Sequence, residues 1–308
     1  RDVERSRGLG DVYKRQAVEK AKETDAELVM ASDPDADRVG AAVKNNEGEW
    51  VLLNGNQTAL MFVYYLITRW KELGKINGKE YIVKTIVTTE TIKTIAERNG
   101  VEMYDVYTGF KWIANVMREN EGKKNYIGGG EESYGFLCED FVRDKDAVSA
   151  CVILAEIAAW AKDQGLSLYQ LLQKIYVEYG FSKEKGISVV KKGKSGAEEI
   201  EAMMKKFREN PLTEIAGSKV TYFYDYSTLE GKDYAENETV TLDMPTTSNV
   251  LQYFTEDNTK VSIRPSGTEP KIKFYCEVHS KVKNIDELPE AEKAAEEKIN
   301  QIKASLGI

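Results

Sequence analysis

The sequence predicts a multi-domain α/β protein in which α/β domains precede a smaller α+β C-terminal domain. Three observations carry that reading. At 308 residues the chain exceeds one ordinary hydrophobic core. Short β-rich runs alternate with helical runs through its first part. After "EYGFSKEKG" (178–186) the character changes to strands of alternating polarity. We place boundaries to give 1–50, the end of one α/β domain, 51–182, a second α/β domain, and 183–308, the α+β domain.

"AVEKAKETDA" (17–26) reads as a helix and "ELVMAS" (27–32) as a buried strand. "RVGAAVK" (38–44) is the next strand, and "NNEG" (45–48) is a hairpin turn. A helix covers 58–73. "KEYIVKTIVTT" (79–89) is a strand, and "ETIKTIAERNG" (90–100) is a helix stopped by Gly100. "NYIGGGEESYGF" (125–136) runs from a strand into a glycine-rich loop, and helices follow at 146–162 and 168–179. "SGAEEIEAMMKKFREN" (195–210) is an amphipathic helix, and "KVTYFYDY", "TKVSIRP" and "KIKFYCEVHS" alternate as strands. Leu288, Ala291, Ala295, Ile299, Ile302 and Leu306 keep helical spacing to the end.

Composition narrows the function classes. Hydrophobic residues make up 42% and charged residues 31%, as in a soluble globular protein, and 43 basic against 51 acidic residues leave a net charge of −8. An acidic chain without a basic stripe argues against nucleic acid and anionic membrane as partners. Cys138, Cys151 and Cys276 lie far apart, which suits reduced thiols in a cytoplasm. The one histidine, His279, falls on the polar side of a strand and reads as a surface residue. The apolar run "ALMFVYYLI" (59–67) is about half a membrane span. The opening "RDVERSRGLGDVYKRQ" has no apolar centre, so it is no signal peptide, and it reads as a cut or altered start.

Five stretches carry the chemistry. "ASDPDADRVG" (31–40) sets Asp33, Asp35 and Asp37 on alternate positions at a strand end and adds Arg38. Open α/β sheets place ligands at such ends. Carboxylate oxygens suit Mg²⁺ or Ca²⁺. An EF-hand is excluded, because its required glycine and glutamate positions hold Arg38 and Lys44. A dehalogenase-type phosphatase expects small residues after its D-x-D, not a third Asp and an Arg. "RPSGTEPKIKFY" (264–275) reads as an anion cradle: Arg264 offers a planar fork, Ser266 and Thr268 hydroxyls, Gly267 close backbone approach, Lys271 and Lys273 positive potential. "GGGEESYGF" (128–136) lacks both dinucleotide and P-loop spacing; its carboxylates and Ser133 suit sugar hydroxyls. "VRDKDAVSA" (142–150) places Lys145 between a neighbour that favours proton loss, Arg143, and two that oppose it, Asp144 and Asp146. "YTGFKWI" (107–113) either caps a phosphate or sugar or opens a helix.

In this order "DPDADR", "TGFK", "GEES", "RDKDA" and "RPSGTEP", with "NGNQT" (54–58), resemble the α-D-phosphohexomutase family, and most of all its bacterial phosphoglucomutase/phosphomannomutase branch. The resemblance extends from about Ala17 to the end of the chain. It implies four domains around a cleft, of which this chain carries the end of the second and the whole third and fourth. It implies that Asp33, Asp35 and Asp37 bind Mg²⁺ and that Glu131 and Ser133 hold sugar hydroxyls. By the same match Arg264, Ser266, Gly267 and Thr268 hold a phosphate, Thr108, Gly109 and Lys111 line the cleft, Arg143 joins the substrate contacts, and Lys145 with Arg38 are catalytic. The implied ligands are a hexose phosphate and a hexose bisphosphate. The family's nucleophilic serine lies in a Ser-His-Asn-Pro type loop, and this sequence has none, since His279 is followed by Ser280, Lys281 and Val282. The chain is therefore expected not to turn over glucose 1-phosphate alone. A sibling mutase for glucosamine or pentose phosphates, and a non-catalytic sugar-phosphate-binding module, are the alternatives.

Overall fold

The structure, a computed structural model, describes residues 11–191, 193–267 and 269–308, without the side chains of 11–15, 193 and 194. It divides into two compact units, Arg1–Tyr179 and Gly180–Ile308.

The first unit opens with helix α1 (Asp11–Glu23) and a three-stranded antiparallel meander, β1 (Leu28–Ser32), β2 (Val39–Lys44) and β3 (Trp50–Leu53). Gly48, at φ +80°, closes the β2–β3 hairpin in the left-handed region that glycine adopts at no steric cost. The expected buried strand at 27–32 is half-buried instead, because β1 pairs with β2 alone and antiparallel. It is an edge of a meander, not a strand of a parallel sheet.

Helix α2 (Gly55–Glu72) follows, capped by Asn54, whose side chain accepts the Gln57 N–H at 2.8 Å while Gln57 returns the bond to the Asn54 N–H at 3.0 Å. Its apolar residues Leu60, Met61, Phe62 and Ile67 are almost wholly buried, each contributing roughly 1.5–3 kcal/mol. Then come β4 (Glu80–Thr85), α3 (Thr91–Arg98), β5 (Glu102–Val106), α4 (Phe110–Asn120), β6 (Asn125–Gly130), β7 (Phe136–Cys138), α5 (Ala147–Asp163) and α6 (Leu168–Tyr179). The sheet order is β5-β4-β6-β7, with β4 parallel to β5 and β6, and β7 antiparallel. Central β4 is buried at every position, as a parallel strand covered on both faces must be. On one face Tyr81, Val83, Val106 and Tyr126 pack against Phe110, Ile113 and Met117 of α4. On the other, α2 approaches so closely that a Cβ at Gly128 would meet Leu66 Cδ1 at 3.1 Å.

The second unit is an antiparallel sheet with two long helices. Strands β8 (Phe181–Val190), β10 (Ser218–Asp225), β11 (Glu230–Asp233), β12 (Glu238–Thr241), β13 (Leu251–Thr255), β14 (Lys260–Pro265) and β15 (Lys271–Ser280) run in the order β12-β11-β10-β13-β14-β15-β8, and β9 (Glu214–Ile215) pairs with β10. Helix α7 (Gly193–Glu209) brings Phe207 edge-on to Phe274 at 6.2 Å. Helix α8 (Leu288–Leu306) buries Ile299 and Ile302 and ends at left-handed Gly307. His279 is half-buried rather than on the surface; its ring lies where a Cβ on Gly180 would stand, 2.4 Å from Cε1. No helix among the described residues is long and apolar enough to cross a membrane.

Candidate functional site

The parallel strands of the first unit deliver three chain segments at their C-terminal ends, where open α/β sheets place ligands. They are Ile86–Glu90 after β4, Thr108–Gly109 after β5 and Glu131–Ser133 after β6. Gly109, at φ +112°, is the N-cap of α4 and donates its N–H to Glu131 Oε1 at 2.7 Å. Ser133 Oγ lies 3.5 Å from Glu131 Oε2. A carboxylate at a helix N-terminus is favoured by the helix dipole. The Thr108–Gly109 turn and the glutamate loop are thus one structure, although 22 residues separate the bonded pair.

The aspartate loop curls on itself. Asp33 Oδ1 accepts the N–H groups of Asp37 (3.1 Å) and Arg38 (3.2 Å), and Ala36 takes φ +53° between them. Two backbone bonds fasten the loop to its neighbours: Val39 N–H donates to Tyr134 O, and Ala147 N–H donates to Ala36 O, both at 3.1 Å. The three aspartates do not converge. Asp33 is turned into its own loop, Asp35 is exposed, and Asp37 faces Lys145. Among the described residues no three His, Cys, Asp or Glu side chains gather as metal ligands. The donor chemistry nevertheless fits a hard divalent cation. Every donor is a carboxylate oxygen, and Asp37 Oδ1 is buried with no hydrogen-bond partner, 3.7 Å from Arg38 Nε, which also lacks one.

Lys145 ties these loops together. Its Nζ lies 2.8 Å from Asp37 Oδ2 and 3.1 Å from Asp144 Oδ1, and 5.7 Å from the centre of the Phe110 ring. Its stem crosses Gly135, where a Cβ would come within 2.5 Å of Lys145 Cδ. Burial works to lower the lysine's pKa, but the bonds and charges of Asp37 and Asp144 outweigh it, so the ammonium is held above its ordinary value. Asp37 shows the complement. Burial works to raise its pKa, yet the Lys145 bond and charge, with Arg38, carry it below the usual range. The competition around Lys145 that the sequence leaves open is settled toward the charged form.

Two expected contacts lie elsewhere. Arg143 is exposed and pairs with Glu121 at 3.3 Å. Lys111 is exposed and stacks over Trp112 at 5.0 Å. Two residues that sequence reasoning passed over, Gly135 and Phe110, seat the lysine. Each sits inside a quoted motif, but nothing local shows that both face residue 145.

In the second unit, Arg264 leaves β14 directly across from Lys273 on β15, which puts two cations on one face of the sheet. The turn is closed by the Ser266 N–H on Lys271 O at 2.8 Å. Beside Gly267 the space a Cβ would fill is open to 4 Å, so the backbone is accessible there. Lys271 is not a source of free positive potential: it is buried and its Nζ is bound to Glu269 at 2.7 Å. Thr268 lies outside the described residues.

Residues 54–179 match the family profile described as phosphoglucomutase/phosphomannomutase, alpha/beta/alpha domain III, and residues 188–295 match that of its C-terminal domain. Over 273 residues, 89% of the chain, it is 38% identical to a phosphoglucomutase of Staphylococcus aureus, covering 48% of that protein. It is 33% identical to one from Staphylococcus haemolyticus, covering 47%. The chain thus spans about half the length of these relatives. Its fold is similar to that of pp63/parafusin from Paramecium, with a TM-score of 0.59 at 17% identity, over 96% of this chain and 50% of that one. A family protein from Burkholderia thailandensis gives 0.58 at 18% identity, over 95% and 50%. Profile matches and sequence motifs show that the chain belongs to the phosphoglucomutase/phosphomannomutase family, of which it carries domain III and the C-terminal domain.

Proposed function

We propose that this chain supplies the sugar-hydroxyl, metal and phosphate contacts of an enzyme that moves a phosphoryl group between positions of a hexose phosphate, glucose 1-phosphate to glucose 6-phosphate, through a bisphosphate intermediate. The observation that carries this reading is the Lys145 junction, where one ammonium holds the aspartate loop, the glutamate loop and the start of α4 together.

In the first unit Glu131 and Ser133 accept and exchange hydrogen bonds with sugar hydroxyls, beside Thr108 and Gly109. Glu131 is oriented for this by the Gly109 N–H. Lys145, kept protonated by Asp37 and Asp144, acts as a charged donor toward a phosphate oxygen or a leaving hydroxyl. Arg38 closes over Asp37. Asp33, Asp35 and Asp37 would hold Mg²⁺, which when bound neutralises charge on a transferring phosphoryl group. In the second unit Arg264, Ser266 and Gly267 hold a phosphate, with Thr268 assigned to the same turn from sequence.

This chain contains no serine loop of the family's nucleophilic type and should be inactive alone. The test is to titrate the purified chain with glucose 1,6-bisphosphate and assay it with glucose 1-phosphate. Saturable binding without turnover supports the proposal. Failure to bind the bisphosphate removes it, and turnover removes the inactivity.

A further inference from the structure

The stretch "NGNQT" (54–58) has no part in the contacts proposed above, yet it meets the glutamate loop more closely than any side chain would permit. Gly55, the first residue of α2, is buried with φ outside the left-handed region, so its backbone conformation does not require glycine. Space does. A Cβ there would lie 2.0 Å from Glu132 O, 2.7 Å from Glu132 C and 2.8 Å from Tyr134 N, all backbone atoms that cannot swing aside as a side chain can. The Asn54–Gln57 capping box fixes the helix start that presents this gap. Asn56 reaches sideways and accepts the Thr89 N–H at 3.0 Å, which holds the segment after β4. At the end of β4 the fully buried Thr85 hydroxyl, paired with Thr88 Oγ1 at 2.8 Å, lies 3.3 Å from Glu132 Oε2.

We infer that Gly55 and Thr85 are positioning residues for the glutamate loop. Gly55 fixes its backbone by close approach, and Thr85 fixes the Glu132 carboxylate, so that Glu131 and Ser133 present to the sugar. The inference rests on the hexose-binding reading above. It needs no contact between either residue and the ligand.

The loop's order can be read without any ligand, because two backbone bonds report it: Glu131 N–H on Gly135 O at 2.9 Å, and Val39 N–H on Tyr134 O at 3.1 Å. Amide hydrogen exchange is measured at Glu131 and Val39 in the 308-residue chain and in Gly55→Ala, Thr85→Val and Thr85→Ser, with the Ala147 amide, bonded to Ala36, as reference. Gly55→Ala and Thr85→Val should speed exchange at Glu131 and Val39 by roughly tenfold, with a similar loss of glucose 1,6-bisphosphate affinity, while Thr85→Ser stays near wild type. Unchanged exchange in both Gly55→Ala and Thr85→Val overturns the inference, as does Thr85→Ser behaving like Thr85→Val. If Gly55→Ala does not fold, the Val and Ser variants at Thr85 decide. A wild-type chain that binds no bisphosphate overturns the hexose reading, whereas altered affinity is not needed to judge the exchange.

Discussion

The loops of the first unit and the Arg264 turn of the second are built on opposite plans. In the first, most candidate groups are already engaged: Glu131 by the Gly109 N–H, Asp33 by its own loop, Asp37 through Oδ2 by Lys145, and Lys145 by two carboxylates, an aromatic face and a glycine slot, while Asp35 stays exposed. In the second, the backbone beside Gly267 stands open, and Arg264 is half-buried with Lys273 opposite. Under the function proposed above, the difference follows from what each would recognise. Neutral hydroxyls need acceptors fixed in direction, since a single hydrogen bond contributes only about 1 kcal/mol. A phosphate brings its own charge and is gripped by a fork of donors that needs less bracing.

Breaking the braced side should have the largest effect. Lys145→Met removes the ammonium from Asp37 and Asp144 and should lower the stability of the chain by about 2 kcal/mol, since Asp37 is left partly buried with only the more distant Arg38 beside it. Urea unfolding measures this, and a change below ~0.5 kcal/mol would mean the junction braces nothing. On the open side, Arg264→Ala should weaken phosphate or glucose 6-phosphate binding by at least ~2 kcal/mol, roughly 30-fold, with little change in melting temperature. Calorimetric titration with a thermal melt checks both halves. Asn54→Ala deletes one half of the capping box and should cost about 1 kcal/mol. That loss belongs to the first unit alone and should leave phosphate binding unaltered. The smallest effect is a pH dependence. Asp37 has a folded pKa below its ordinary 3.8, so its contribution is full above that value and is lost as pH falls through the lower folded pKa. Acid unfolding curves of wild type and Asp37→Asn should therefore differ above pH 3.8 and converge only as pH falls through the lower folded pKa.

Much of this was legible in the residues. Helix α2 announces itself in an unbroken apolar run, Gly100 stops α3, and the order of loops along the chain carries the family. Other parts were not legible because their causes are distant. Strand β8 is not marked in the sequence, where "EYGFSKEKG" shows only a change of character, yet it pairs with β15 along all of Phe181–Val190, and Lys183 and Lys185 then meet Glu292 and Glu296 of α8. The meander around β1 looks like the opening of a parallel sheet, because an apolar strand does not reveal its partner's direction. Lys145 and Asp37 lie more than a hundred positions apart, so the sequence does not show that Asp37 joins Asp144 in holding the ammonium. Gly55 had no turn to explain it until the Glu132 carbonyl was found against it.

On the proposed function, the aspartate loop and the glutamate loop form one cation-responsive site joined through Lys145. An NMR titration of the 308-residue chain with Mg²⁺, following backbone amides, tests it most directly. Saturable shifts are expected at Asp33, Asp35, Asp37 and Arg38, with matching shifts at Lys145 and Gly135 as the ammonium leaves Asp37. No saturable shift in the 33–38 loop, or shifts there that leave Lys145 and Gly135 unmoved, would contradict it.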